Sequence, residues 1–323
     1  MAQRIYRARV PEDLEDFGAN WIVRFKARHY ARIKSIWESP LDSERAAGLN
    51  PVATERYFRT VGRIYEEEDI QDCCRYAADE SGFWAAIGGA ERVVGRADTR
   101  RQHGQQSGSR ELTTVLATVC ADGTHLPPLV IFKGDRLRDD VGIDNPDDAL
   151  ITCSLNGWID GGIFAEWIHW FDQRTAGKAD GRPRVLHLDS HKTHTTLEVD
   201  DYAADYGIII IGYPPKSTHG LQGLDRVHFG RMKTLWPKEV KRFEEDHGYN
   251  MEKVDFLRVL HNVSREVFTA ENNRRAFIVT GLTRPVDPSH ISERMMAPSQ
   301  ESSTQGSLPL PQPTPVRNVT TLI

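Results

Sequence analysis

The sequence predicts an α/β fold: a mixed sheet flanked by helices, preceded by a small helical segment. Three observations carry this reading. Apolar residues recur at three- and four-residue steps near the N-terminus, β-rich runs begin at Arg75, and a strand, helix, strand pattern follows near residue 185.

Within residues 1–70, Trp21, Ile22, Phe25, Tyr30, Ile33 and Ile36 form one amphipathic face of a helical segment. Arg75–Trp84 reads as a strand. Leu112–Cys120 and residues 129–133 read as a hairpin around Ala121-Asp122-Gly123. Residues 161–174 carry Ile163, Trp167, Ile168 and Phe171 at helical spacing. Val185-Leu186-His187-Leu188 is a short apolar strand, residues 198–206 a helix, and the β-branched run 208–211 a strand buried on both faces, which makes a parallel unit. Residues 227–247 read as a long helix that Pro237 kinks or divides. Periodicity ends near residue 285. Residues 298–315 hold five prolines and nine serines, threonines and glutamines, which predicts a disordered tail.

The chain has 323 residues, 39% hydrophobic and 27% charged, enough for a sizeable core and too balanced for a wholly disordered or fibrous protein. No apolar run reaches the roughly 20 residues of a membrane helix, so no membrane partner is expected. The four cysteines follow neither a zinc spacing nor a dense disulfide framework and point to a reducing compartment. The net charge of −5 excludes a globally basic coat for a polyanion. Local basic patches remain. Residues 4–34 carry eight basic side chains against four acids, and residues 92–110 five arginines against Asp98 alone. Arg96, Arg100 and Arg101 in that second stretch are the candidate phosphate contacts, although a charge run also serves as an ordinary solvated face.

Three aspartates end an apolar run or follow a proline-rich turn: Asp79, Asp189 and Asp225. One such residue alone is most simply a helix cap or turn former. Strand ends gather at one edge of an open sheet, however, so acids distant in sequence can converge there. Two carboxylates about 4 Å apart repel by roughly 4 kcal/mol at an effective dielectric near 20. Such a cluster takes up protons or holds cations. Magnesium or manganese suits hard oxygen donors, and two ions can flank a phosphodiester.

The surrounding residues resemble a known family. Asp79-Glu80-Ser81-Gly82-Phe83 is similar to an Asp-Glu-x-Gly-Phe block, and Asp189-Ser190-His191-Lys192-Thr193-His194 to an Asp-Gly-His-x-x-His block. Pro214-Pro215-Lys216-Ser217-Thr218-His219-Gly220-Leu221-Gln222-Gly223-Leu224-Asp225 is similar to Pro-Pro-x-x-Thr-His-x-Leu-Gln-Pro-Leu-Asp. These blocks, in this order, resemble the DDE superfamily endonucleases, specifically the pogo/Tigger/jerky-like transposases of the mariner superfamily. Thirty-five residues lie between Asp189 and Asp225, a separation typical of that group.

The resemblance implies an RNase H-like fold over residues 71–275, with Asp79, Asp189 and Asp225 as catalytic metal ligands. It also implies two magnesium or manganese ions, DNA as partner and the nucleus as location, and leaves a homodimer open. The function implied is metal-dependent phosphodiester cleavage and strand transfer. The alternative is an inactive domesticated or relic module that binds nucleic acid or protein. Two departures stand out: Ser190 replaces glycine, and Gly223 replaces proline, which should loosen the loop presenting Asp225. His191, His194 and His219 read as structural polar residues, and Glu80 as a cap or surface acid. Residues 20–29 resemble the closing helix of a CENP-B-type helix-turn-helix, so residues 1–70 read as a truncated DNA-binding remnant and linker, and residues 276–323 as linker and tail.

Overall fold

A computed structural model describes residues 20–30, 49–84, 111–189, 196–292, 295–296, 303–305 and 308–309. The chain divides into two compact units, Met1–Leu41 and Asp42–Ile323. In the first, α1 (Trp21–Arg28) is a two-turn helix with Lys26 and Arg28 in its last turn, where cations complement the helix dipole. Tyr30 lies beyond its end and is exposed, while Ile33 and Ile36 lie outside the described residues.

The second unit opens with α2 (Pro51–Glu67). Asn50 caps it by accepting from the Ala53 N–H at 2.9 Å, and Pro51 takes the first turn, where its missing N–H costs nothing. Thr54, Tyr57, Phe58, Val61 and Tyr65 recur at three- and four-residue steps on its buried side. Although the sequence reading counts α2 with the N-terminal segment, it shares a core with the sheet.

The sheet follows the mixed, RNase H-like expectation. Its strands are β1 (Arg75–Trp84), β2 (Leu112–Cys120), β3 (His125–Lys133), β4 (Leu150–Ser154), β5 (Arg184–Leu188) and β6 (Ile208–Gly212), in the order β4-β3-β2-β1-β5-β6. β1, β2 and β3 are antiparallel neighbours; β4 joins β3, β5 joins β1 and β6 joins β5 in parallel. β3 begins earlier than expected and takes in Pro127 and Pro128. Pairing with β4 starts only at Leu129, and the pairing with β2 is irregular between Leu126 and Leu129, so the prolines sit where no regular ladder donor is needed.

Helix α3 (Gly161–Ala179) and α4 (Leu197–Asp205) cover one face of the sheet, packing Phe164, Trp167, Phe171 and Val199 against Tyr76, Ala78, Leu186 and Leu188. The other face carries Ala77, Phe83, Val185 and Ile211, covered by α2 and by the C-terminal helices α6 (Gly230–His247), α7 (Phe256–Val267) and α8 (Ala270–Val279). The short α5 (Thr218–Leu221) and a π-helical turn, Leu224–Phe229, lead into α6.

β6 is an edge strand with both faces packed, Ile208 and Ile210 toward α3 and α4 and Ile209 and Ile211 toward the other side, the middle two half-buried. One expectation needs correction. Pro237 does not divide α6, because Met232, Trp236, Val240 and Phe243 bury one continuous side across it. Of the tail, only a two-strand ladder is described, β7 (Ser303–Gln305) with β8 (Leu308–Pro309). No described helix is long and apolar enough to cross a membrane.

Candidate active site

Strand register assembles the first two acids. Ala77 of β1 lies opposite His187 of β5, and side chains two residues apart share a face. One such step beyond this pair come Asp79, in the middle of β1 rather than at its end, and Asp189, directly after β5. Both are half-buried. Their side is that of Ala77 and Val185, facing α2 and the C-terminal helices. Glu80 falls on the opposite face by strand alternation, and its backbone N–H donates to Asp79 Oδ1 at 2.8 Å.

Asp225 arrives on the π-helical turn, which contacts β1. Such turns are rare and recur at functional sites. Arg226 pins this one by donating to the carbonyls of Gly220, at 3.4 Å, and Val279. His228, fully buried, bonds through Nε2 to Asn273 Oδ1 at 2.9 Å. Gly223 does not loosen the segment, contrary to the sequence expectation. Its backbone is helical, and an added Cβ would lie 2.6 Å from the Ala276 carbonyl oxygen. The residue is glycine because α8 lies against it.

Electrostatics ties the three acids together. Burial pushes the Asp79 carboxyl well above the usual carboxylate range, and the like charges of Asp225 and Asp189 push it further; the Glu80 N–H offsets part of this. Tyr213, buried just past β6, donates its N–H to the Leu188 carbonyl at 2.9 Å. Its phenol is pushed well up by burial and then by Asp79, Tyr65 and Asp225. The tyrosine thus feels the charge of two of the acids, a relation the sequence reading missed.

Sequence reasoning also missed His187. Its ring is fully buried, with Nδ1 3.1 Å from the Tyr57 hydroxyl and Nε2 2.7 Å from the Tyr65 hydroxyl. Burial, reinforced by Arg75, holds its pKa down at about 3, so the imidazole is neutral. One hydroxyl donates to the bare ring nitrogen and the other accepts from the ring N–H. The signal was available in the sequence: Val185, His187 and Asp189 alternate on one face of β5.

The donor set suits a hard divalent cation. The like charges of Asp225 and Asp189 acting on Asp79 are what such an ion would relieve. As placed, no group of three His, Cys, Asp or Glu side chains among the described residues forms a metal cage. His219 is half-buried on α5, while His191, His194, Arg96, Arg100 and Arg101 lie outside the described residues.

Residues 109–264 match the DDE superfamily endonuclease family, a span that includes Asp189 and Asp225 and starts after Asp79. The chain is 30% identical over 231 residues to the MFS-type transporter clz9 of Cochliobolus lunatus, covering 71% of this chain and 24% of that protein. It is 26% identical over 266 residues to the Jerky protein of Mus musculus, covering 78% and 44%. A third relative, the pogo transposable element with ZNF domain of Homo sapiens, is 28% identical over 187 residues, covering 55% and 12%. The chain thus spans less than half the length of these curated relatives. Among solved structures, the Mos1 mariner paired end complex with Mn is similar at a TM-score of 0.46 and 10% identity, over 79% of this chain and 71% of that one.

Proposed function

We propose that this chain, a member of the DDE superfamily endonucleases, uses Asp79, Asp189 and Asp225 to cleave phosphodiesters of DNA with divalent magnesium or manganese. The observation that supports the reading is that Asp79 and Asp189 stand at adjacent strands while Asp225 comes from a turn that contacts β1, and the charges of Asp225 and Asp189 raise the proton affinity of Asp79. The site's chemistry follows from that arrangement. Asp79 lies on β1 and Asp189 directly after its neighbour β5, each two residues beyond the last paired residues, Ala77 and His187. Asp225 completes the set from a turn pinned by Arg226 and His228. The half-buried setting of Asp79 strengthens its interaction with any cation, because the local dielectric is low.

Two divalent cations, when bound, would supply Lewis acidity at the phosphodiester and activate the attacking water or DNA hydroxyl. Asp79, Asp189 and Asp225 would hold these ions. Oxygen-only donors favour magnesium and manganese over softer metals. Arg96, Arg100 and Arg101 would neutralise backbone phosphates. DNA as substrate places the working protein in the nucleus.

The test is nicking of supercoiled plasmid by the purified chain with magnesium or manganese. Wild-type protein is expected to nick, and Asp189→Asn to abolish nicking while keeping a cooperative melt. No metal-dependent nicking, together with no effect of metal on the melting temperature, would leave the chain as a binding module.

A further inference from the structure

We infer that His187, clamped between Tyr57 and Tyr65, is a positioning residue for Asp189, which makes α2 a working part of the acid site. The inference rests on the functional reading above and deepens it. β1 runs on to Trp84, yet its pairing with β5 stops at Ala77 opposite His187. Beyond that point, the strand tip that carries Asp189 has no ladder to β1. On its other side it is held by the bond from the Tyr213 N–H to the Leu188 carbonyl. The side chain of His187 supplies a further fixed point. Both ring nitrogens are engaged by hydroxyls from α2, at 3.1 and 2.7 Å, and the ring is fully buried.

The clamp is itself braced. Tyr213 stacks on His187 with centroids 6.0 Å apart and an interplanar angle of 27°. The Arg75 guanidinium lies 5.2 Å over the Tyr65 ring and donates to the Leu282 carbonyl at 2.8 Å. Hydrogen bonds to both nitrogens fix the rotation of the imidazole as well as its position. With only Leu188 between the histidine and the aspartate, the clamp sets the direction in which Asp189 leaves the sheet. Filling the core alone would not call for a histidine, since an apolar side chain of similar volume would avoid burying two polar atoms that each need a partner.

Tyr65→Phe and Tyr57→Phe remove one hydroxyl each and keep the aromatic packing. Two readouts separate positioning from simple stability. In the nicking reaction, each variant should raise the half-saturating manganese concentration by about tenfold, the size of effect seen when partners of metal ligands are removed, with the KM for DNA unchanged. By hydrogen exchange, the Tyr213 amide should exchange at least about tenfold faster, while the Val130 amide in β3 keeps its rate. Unchanged manganese dependence with unchanged Tyr213 exchange would overturn the inference. Equal acceleration at Tyr213 and Val130 would overturn it too, because that marks global destabilisation. If the wild-type chain neither binds manganese nor nicks, the metal reading falls by itself and the exchange comparison alone decides whether the clamp positions the strand tip.

Discussion

Gly223 lies against Ala276 so closely that a Cβ at residue 223 would stand 2.6 Å from the Ala276 carbonyl oxygen and 2.8 Å from its Cβ. The backbone there is helical, at φ −66° and ψ −34°, a conformation that alanine and proline adopt readily. The constraint is therefore space. Gly223→Ala would gain up to about 1 kcal/mol of helix propensity but force α8 away from the turn that carries Asp225. Overpacking of this kind costs about 1–3 kcal/mol, so the variant should be destabilised in urea melts. It should also need more metal for nicking than its stability alone explains.

Much of this architecture is legible in the sequence, for identifiable reasons. β5 and β6 are short, rich in apolar residues and bounded by turn formers. The parallel β5-α4-β6 unit follows from two such runs separated by a helix. β4 was missed because Leu150–Ser154 is half-buried throughout and carries no alternation. Helices α7 and α8 went unread although Leu257, Leu260 and Val263 repeat at helical spacing in α7. Of the site, the blocks around the aspartates singled out the acids. Their grouping rests on the offset between β1 and β5, which sequence alone does not supply. The packing at Gly223 depends on Ala276, 53 residues away, and is invisible locally.

His228 sets a pH dependence. Burial, aided by His125, lowers its pKa to about 4, although the bond to Asn273 opposes the shift. Asn273 Nδ2 donates to the Gly123 carbonyl at 2.9 Å, so its Oδ1 accepts from His228 Nε2 and the proton sits there. Charging the ring would place a proton on buried Nδ1. The folded-state pKa lies below the unfolded value of about 6.5, so the unfolded chain binds the extra proton first. Stability from this residue is present above about pH 6.5 and is lost as pH falls toward 4. His228→Gln, which keeps a donor for Asn273, should flatten that part of a stability-against-pH curve. An equally steep curve for the variant would assign the acid sensitivity to other groups.

The acid cluster predicts a reversal of stability with metal. Asp79→Asn removes one like charge facing Asp225 and Asp189, and its amide oxygen can still accept from the Glu80 N–H. Without divalent ions, the variant should melt at or above the wild-type temperature. With manganese at about 100 times its dissociation constant, wild-type protein should gain about 2.7 kcal/mol, and the variant should gain little because the charge opposing the ion is lost. The order of the two melting curves should then invert. Parallel shifts in both proteins would mean that manganese binds elsewhere.

Nucleic-acid affinity should be local and electrostatic, because the chain as a whole is acidic, with a net charge of −5. Neutralising phosphates releases counterions, and each contact contributes about 0.9 to the slope of log affinity against log salt on duplex DNA. Arg96, Arg100 and Arg101 are clustered within six residues and accompanied by the single acid Asp98. Replacing all three by alanine should therefore reduce the slope by up to about 2.7 if each meets one phosphate. The loss should be similar for unrelated sequences, since phosphate contacts fix position without reading bases. The same triple variant should retain its manganese-induced rise in melting temperature, because the acids sit on the sheet face and its π-helical turn. An unchanged salt slope would move the DNA contact to the other basic stretch, residues 4–34. Binding that depends strongly on sequence would require base-reading side chains that these arginines do not account for.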